Sequence, residues 1–211
     1  MKIIGIIYQL LVKIYEKYVK SQLQKHILGS CGKHVIFRYN RWGNHYSRIF
    51  LDDCTQLVDF TFISNGGKLI IKKYSGAAQG FTVVTNIHSR EVGTNLWHSM
   101  EYEDHSTSEK DVIIEEEVTI GANVTILAGV VVGRGCSIGA GSVLRNSTPP
   151  YSIVIGNPAK IVGFNFNPYE VIEHEKTIYD EEERLSIDYL EKNYQKYFID
   201  RIKEIREYTK L

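Results

Sequence analysis

A strict six-residue repeat between Asp111 and Phe164 constrains the fold of this chain more than any other feature. Branched aliphatic residues recur at every sixth position, and small or β-branched residues stand two positions before each of them. The two series are Ile114, Ile120, Ile126, Val132, Ile138 and Leu144, and Val112, Val118, Val124, Val130, Cys136 and Ser142. A strand alternates faces with period two and a helix with period 3.6, so neither element runs unbroken through this pattern.

The repeat instead predicts short strands separated by turns, each strand pointing one aliphatic side chain inward. A single coil of this kind cannot bury its apolar edge alone, and stacked coils cover one another. We therefore predict an all-β solenoid, a parallel β-helix built from six-residue units.

A weaker form of the repeat precedes it, between Cys31 and Val84. Its inward positions fall in two frames, Leu51, Leu57 and Ile63, and then Ile71, Ala77 and Val83. The shift between the frames coincides with Gly66 and Gly67, and glycine tolerates the backbone that a corner insertion requires. We predict that these residues form the first coils, which makes residues 29–164 one β-helix domain.

The repeat is interrupted over residues 85–110, where the sequence becomes polar and aromatic. We expect a loop that leaves the coil here. Structureless excursions of this length are uncommon in compact domains and tend to be functional.

Amphipathic helices are predicted on both sides of the solenoid. In residues 1–28, apolar residues from Ile3 to Val19 fall at helical spacing among several lysines. Their apolar part is too short for a transmembrane segment, which needs about 20 residues, and no small-residue cleavage site follows it. We expect this helix to pack on the end of the solenoid rather than on a membrane surface.

Residues 165–211 are predicted to form a helical extension. Asn167, Pro168 and Glu170 provide an N-cap, a first-turn proline and a glutamate at the third helical position. A second start, Asp180 with Glu183, precedes apolar residues at helical spacing, which predicts one long amphipathic helix.

Composition excludes some classes of function. Lysine plus arginine equals aspartate plus glutamate at 25 each, so no basic excess exists to attract nucleic acid. Cys31, Cys54 and Cys136 are an odd number without C-x-x-C spacing, which indicates neither a disulfide framework nor a zinc site. A cytoplasmic location is the simplest expectation.

Two segments carry a resemblance to a known family, the run from Ile120 to Gly129 and the exit segment from Pro149 to Lys160. They resemble the hexapeptide-repeat acyltransferases, in particular the maltose, galactoside, streptogramin and capsular-sugar O-acetyltransferases. The resemblance implies a left-handed parallel β-helix, acetyl-CoA as the co-substrate without a metal, a small-molecule acceptor that is a sugar or a related hydroxyl compound, and a homotrimer.

The resemblance also implies site residues. The family keeps its catalytic histidine at the start of the long loop, where this chain has Thr85-Asn-Ile-His88 without the glycine of the family motif. Histidine suits a general base because its pKa lies near neutrality. His98 and His105 are the rival histidines. The family's coenzyme A contacts fall on Ala122, Ala140, Arg145 and Lys160, and Asp59 is the expected acceptor contact.

Three alternatives stay open at this point. A streptogramin-type antibiotic could be the acceptor. The γ-class carbonic anhydrases share the fold and bind zinc through histidines, and His88, His98 and His105 lie near one another in sequence. The solenoid could also be a non-catalytic scaffold.

Overall fold

The structure is a computed structural model that describes residues 2–42, 45–86, 92–93, 95 and 109–210, without the side chains of residues 17 and 39–42. The predicted solenoid is confirmed as a left-handed parallel β-helix of about five coils, with helices at both ends. Of the predicted excursion over residues 85–110, the described residues are those of its two ends and residues 92–93 and 95.

Short strands build each coil. They are β1 (Ser30–Cys31), β2 (Ile36–Trp42), β3 (Ile49–Leu51), β4 (Gln56–Ile63), β5 (Leu69–Ile71), β6 (Gly76–Ala77), β7 (Phe81–Val84), β8 (Val112–Ile114), β9 (Thr119–Ile120), β10 (Thr125–Ile126), β11 (Val131–Val132), β12 (Ser137–Ile138), β13 (Val143–Leu144), β14 (Ser152–Ile155) and β15 (Lys160–Phe164). One sheet has the order β1-β3-β5-β8-β11. The other has the order β13-β10-β7-β4-β6-β9-β12-β14-β15 and covers two faces, because β4 crosses a corner and pairs first with β6 and then with β7.

The two predicted inward series form the core of the later coils. Every one of their twelve side chains is at most 3% exposed. Strand register explains this, since Ile120 pairs with Ala77 on one side and Ile138 on the other, which keeps inward residues stacked. The same core encloses Cys136, and burial raises the pKa of its thiol.

The first coils confirm the weaker repeat except at one position. Leu51, Leu57, Ile71, Ala77 and Val83 are buried as predicted, but Ile63 is 47% exposed. Phe62 takes the inward position instead and pairs with Val83. The coil turns one residue early because two residues separate Leu57 from Phe60 at this corner, whereas three separate their partners Ala77 and Phe81 on the next coil.

The N-terminal segment forms α1 (Lys2–Tyr15), a π-helical segment (Glu16–Lys20) and α2 (Ser21–Lys25). Packing of the whole helix on the solenoid end is a wrong expectation, because no α1 residue is buried. The segment attaches to β2 through its π-helical part and α2, and in α2 the Ser21 hydroxyl donates to Phe37 O and Lys25 Nζ donates to Val35 O at 2.6 Å. None of the helices in the described residues combines the length and apolar character that a membrane crossing requires.

The C-terminal extension forms α3 (Pro168–Ile178), α4 (Ile187–Tyr197) and α5 (Ile202–Tyr208). The predicted Asn167 cap is confirmed as a capping box with Glu170. The predicted second start at Asp180 is wrong, because residues 181–183 form a single 3₁₀ turn and Ser186 caps α4. The predicted long helix is interrupted at Phe198, whose backbone (φ −123°, ψ −63°) leaves the helical region.

Candidate active site

The two ends of the predicted excursion meet at one edge of the solenoid. Lys110 N donates to Thr85 O at 3.1 Å, so the chain returns to the coil where it left. Corners of neighbouring coils stack along the same edge, because a Cβ on Gly67 would lie 2.7 Å from Thr85 and one on Gly129 would lie 2.9 Å from Lys110. The next corner contains residues 145–147, where Ser147 Oγ accepts from Val131 N. We call this stack of corners the loop edge.

A second edge carries three of the sequence-predicted residues. Gly80 N donates to Asp59 O at 2.7 Å, Asn123 N donates to Gln79 O at 3.0 Å, and Gly141 N donates to Ala122 O at 2.9 Å. Asp59, Ala122 and Ala140 therefore occupy stacked corners, which we call the alanine edge. Space is short here, since a Cβ on Gly121 would lie 2.6 Å from Ala140 N. Close packing between coils therefore favours small residues at these corners, whether or not a ligand binds there.

Both edges border one face of the β-helix, formed by β7, β10, β13 and the second half of β4. Adjacent coils lie ~4.8 Å apart, so the stacked corners of each edge form a continuous row along this face. The structure therefore brings Asp59, Ala122, Ala140 and Arg145 to the borders of a single face. The stem of the excursion, Thr85, reaches the same face. His88, His98 and His105 lie outside the described residues.

A cavity of about 370 Å³ opens at the end of the loop edge. It is lined by Leu144, Arg145, Asn146, Ser147, Thr148, Val154, Ala159, Lys160, Ile161, Tyr197 and Arg201. The predicted residues Arg145 and Lys160 thus share one cavity. Arg201 joins them from the C-terminal extension, and we call this site the cationic cavity. Cationic side chains converging in this way suit a phosphate ligand.

A carboxylate links two of these cations. Arg201 donates from Nε and Nη2 to the Glu204 carboxylate at 3.1 and 3.0 Å, and Lys160 Nζ lies 3.7 Å from Glu204 Oε1. The Glu204 hydrogen bond raises the pKa of Arg201, and the Arg201 hydrogen bond lowers the pKa of Glu204. Lys160 also lies 4.7 Å from the centre of the Tyr208 ring. Three cations against this carboxylate leave the cationic cavity positive.

Sequence reasoning missed Arg201 and Tyr197. They lie on either side of the break between α4 and α5, beyond the repeat and outside its period. Their approach to Lys160 results from the packing of the extension against β15. No local signal in the sequence marks either residue.

A larger cavity, about 1180 Å³, lies between α3 and α4 and holds none of the predicted residues. Its lining consists of Phe166, Asn167, Pro168, Tyr169, Glu170, Glu173, His174, Asp188, Glu191, Lys192, Tyr194, Gln195 and Ile199. On its wall, His174 Nε2 lies 3.4 Å from Glu117 Oε2. Four carboxylates against one lysine would repel a phosphorylated donor, so volume alone does not make this cavity the donor site.

Metal ligation finds no support in the described residues, where no group of three or more histidine, cysteine, aspartate or glutamate side chains is arranged around a common point. The histidines that a carbonic-anhydrase-like site would use lie outside those residues, so that alternative stays open.

Comparison with known proteins supports the repeat and the fold. Residues 111–146 match the profile of the bacterial transferase hexapeptide family, described as six repeats. No curated protein sequence matches the chain significantly.

Solved structures with this fold include several acyltransferases. A hexapeptide-repeat acetyltransferase from Vibrio cholerae, complexed with acetyl coenzyme A, is 23% identical with a TM-score of 0.57, covering 74% of this chain and 83% of its own. AntD, an N-acyltransferase from Bacillus cereus in complex with dTDP and 3-hydroxybutyryl-CoA, is 18% identical with a TM-score of 0.60, covering 77% and 96%. A maltose O-acetyltransferase from Clostridium difficile is 20% identical with a TM-score of 0.51, covering 72% and 81%. At these identities the likeness establishes the fold.

Proposed function

We propose that this protein is an acetyl-CoA-dependent O-acetyltransferase that moves the acetyl group directly to a hydroxyl of a sugar or a related small molecule. The observation that carries the proposal is the cationic cavity, where Arg145, Lys160 and Arg201 converge at the end of the loop edge. Coenzyme A carries a pyrophosphate and a ribose phosphate, which need cationic partners. Further support comes from the acetyl-CoA and acyl-CoA complexes of proteins with this fold.

In this proposal, coenzyme A lies along the face between the two edges. Its phosphates bind Lys160, Arg145 and Arg201, and its pantetheine arm passes the small corners at Ala122 and Ala140. Backbone amides of the corners are suited to an amide-containing arm, and small side chains leave room for it. The thioester then points toward the stem of the excursion at Thr85.

The proposed base is His88, two residues beyond the described residue Asn86. Its imidazole removes the proton of the acceptor hydroxyl as the oxygen attacks the thioester carbonyl. The tetrahedral intermediate collapses with cleavage of the C–S bond, and the imidazolium returns the proton to the leaving thiolate. The acetyl group thus passes directly to the acceptor oxygen and the proton to the coenzyme A thiolate, and no covalent enzyme intermediate forms. Asp59, on the alanine edge, is the proposed acceptor contact.

We also propose a cytoplasmic homotrimer. In the described part of the chain the outward side chains of this face, Thr82, Thr125 and Val143, are only half-buried, and a neighbouring subunit would supply a second wall. Light scattering should report about three times the 24.2 kDa chain mass. A fully active monomer would contradict both the assembly and a site at the subunit interface.

The decisive experiment for the activity is an acceptor screen with acetyl-CoA that follows the release of free thiol. Sugars, amino sugars and a streptogramin should be included, because an N-acyltransferase shares the fold. His88→Ala should lower kcat about 10²- to 10⁴-fold and leave donor binding nearly unchanged. His98→Ala and His105→Ala should cost far less, and parent-like turnover of His88→Ala would remove His88 from the mechanism.

The donor site has its own test. Lys160→Ala and Arg201→Ala should each weaken acetyl-CoA binding about five- to a hundredfold, as expected for a charged hydrogen bond of about 1–3 kcal/mol. Lys33→Ala on the first coil and Arg206→Ala on α5 are matched controls. If 3′-dephospho-coenzyme A binds the parent, Lys160→Ala and Arg201→Ala with equal affinity, the two side chains contact the ribose phosphate. If all four variants bind acetyl-CoA as tightly as the parent does, the donor binds elsewhere.

A further inference from the structure

The N-terminal helix α1 exposes an unusual amount of apolar surface. Every large apolar side chain of α1 except that of Val12 is at least 45% exposed, with 72% at Ile3, and none of its residues is buried. Contiguous apolar surface of this size on a folded protein marks a surface that binds something. We therefore expect the apolar surface of α1 to be covered by a binding partner.

The distribution of polar residues around α1 indicates what kind of partner covers it. At 100° per residue, apolar side chains cover about two thirds of the helix circumference, and Lys2, Gln9 and Lys13 lie on the remaining stripe. A helix bundle formed with further copies of the chain would bury a narrower seam and leave the rest of the apolar surface in water. A lipid interface covers the whole apolar arc and leaves the polar stripe facing water.

Charge and length agree with a lipid surface. Residues 2–25 contain five lysines and one acidic residue, Glu16. Tyr15 and Tyr18, 53% and 60% exposed, lie near the end of the apolar stretch, as tyrosines do at membrane interfaces. The 14 residues of α1 span about 21 Å at 1.5 Å per residue, less than the hydrocarbon thickness of about 30 Å.

The attachment of α2 would transmit this binding to the solenoid. Three side-chain hydrogen bonds hold α2 to the first coil, from Ser21 to Phe37 O, from Gln24 Nε2 to Tyr46 Oη at 3.1 Å, and from Lys25 Nζ to Val35 O. We propose that α1 lies in the surface of a membrane that contains anionic phospholipids and holds the solenoid against that surface.

Flotation of the full chain with lipid vesicles tests the proposal. The protein should float with vesicles of phosphatidylcholine and phosphatidylglycerol, and less with phosphatidylcholine alone. Lys2→Gln and Lys13→Gln should each weaken anionic binding about fivefold, since a lysine near an anionic surface contributes about 1 kcal/mol. Added salt should weaken it as well. Ile7→Glu with Leu11→Glu, in the middle of the apolar arc, should reduce binding about tenfold or more.

Two controls keep the result specific. Ile178→Glu introduces the same change at an isoleucine that is 39% exposed on α3 and should leave flotation unchanged. The thermal midpoint of the Ile7/Leu11 variant should equal that of the parent, because α1 buries no residue. Absence of parent binding to anionic vesicles overturns the proposal. If the parent does not bind vesicles and the Ile7/Leu11 variant has a lower oligomer mass than the parent, α1 instead forms contacts between copies of the chain.

Discussion

The Lys160 ammonium lies 3.7 Å from Oε1 of Glu204, the same carboxylate that Arg201 binds through Nε and Nη2. Lys160 is on β15 at the end of the solenoid, and Glu204 is on α5 in the extension. This relationship joins the repeat to the tail at the proposed phosphate site. It also places a negative charge beside the two cations that a phosphate would contact.

Glu204→Gln should therefore strengthen donor binding, because the charge that repels the incoming phosphate is removed. We expect acetyl-CoA affinity to rise about two- to fivefold at low ionic strength and the gain to shrink as salt is added. Isothermal titration of parent and variant measures both effects. Glu207→Gln, on the same helix but without an ion pair to Lys160 or Arg201 in the described residues, is the control. A weaker donor affinity in Glu204→Gln would mean that the carboxylate orients the cations rather than competing with phosphate.

Glu175 attaches the C-terminal extension to the solenoid. Its carboxylate is fully buried and accepts from Arg134 Nη1 at 3.1 Å, Tyr151 Oη at 2.9 Å and Leu185 N at 2.6 Å. Without this carboxylate, Arg134 keeps Glu116 as an ion-pair partner, but the Tyr151 hydroxyl and the Leu185 N–H lose their acceptor in a buried site. Glu175→Ala should thus lower the free energy of unfolding by about 3–5 kcal/mol in urea titrations.

The neighbouring variant Glu173→Ala is the matched control for Glu175, because it lies on the same helix with a side chain that is 73% exposed. It should change the free energy of unfolding by no more than about 0.5 kcal/mol. Equal effects of the two substitutions would contradict the anchoring role of Glu175.

Acid should destabilise the fold through Glu116. Burial alone would raise the pKa of this side chain, but a backbone hydrogen bond and the charges of Lys72 and Arg134 outweigh burial and lower the pKa below its usual 4.5. The folded state then binds the proton less readily than the unfolded state. This contribution to stability is present above about pH 4.5 and is lost as the pH falls through the lower folded-state pKa.

Urea unfolding of the parent and of Glu116→Gln at a series of pH values between about 6 and 3 tests this. The free energy of unfolding should fall with acidification in both proteins, and less steeply in the variant. Glu182→Gln, an exposed side chain outside this network, should leave the slope of the parent unchanged. A Glu116→Gln slope equal to the parent's would show that the carboxylate makes no such contribution.

Gly135 and Gly141 offer a paired test of backbone strain against steric contact. Both have positive φ, 66° and 74°, so alanine at either position costs about 1–2 kcal/mol for the left-handed conformation. A Cβ on Gly135 would also lie 2.3 Å from the Tyr151 ring, whereas a Cβ on Gly141 meets nothing within 4 Å. Gly135→Ala should be the more destabilising by about a further 1–3 kcal/mol in urea titrations. Equal losses would contradict the tight packing of Tyr151.

The repeat could be predicted from the sequence because its information is local. Each coil needs an inward aliphatic residue at every sixth position, and the residues from Val112 to Leu144 satisfy this without reference to distant parts of the chain. The capping box at Asn167 and Glu170 is equally local and was predicted correctly. The exposed Ile63 was missed because the Asp59 corner shortens the coil by one residue, and spacing alone does not reveal which corner is short.

The composition of the site depended on tertiary structure. Arg145 and Lys160 were predicted by resemblance, but only the folding of the extension onto β15 adds Arg201 to their cavity. His88 stays a prediction. The exposure of α1 was likewise decided in three dimensions, because helical spacing indicates an apolar face without indicating what covers it. The sequence by itself determined the period, and hence the coils. Contacts between residues far apart in the chain decided how the extension and α1 are placed on them.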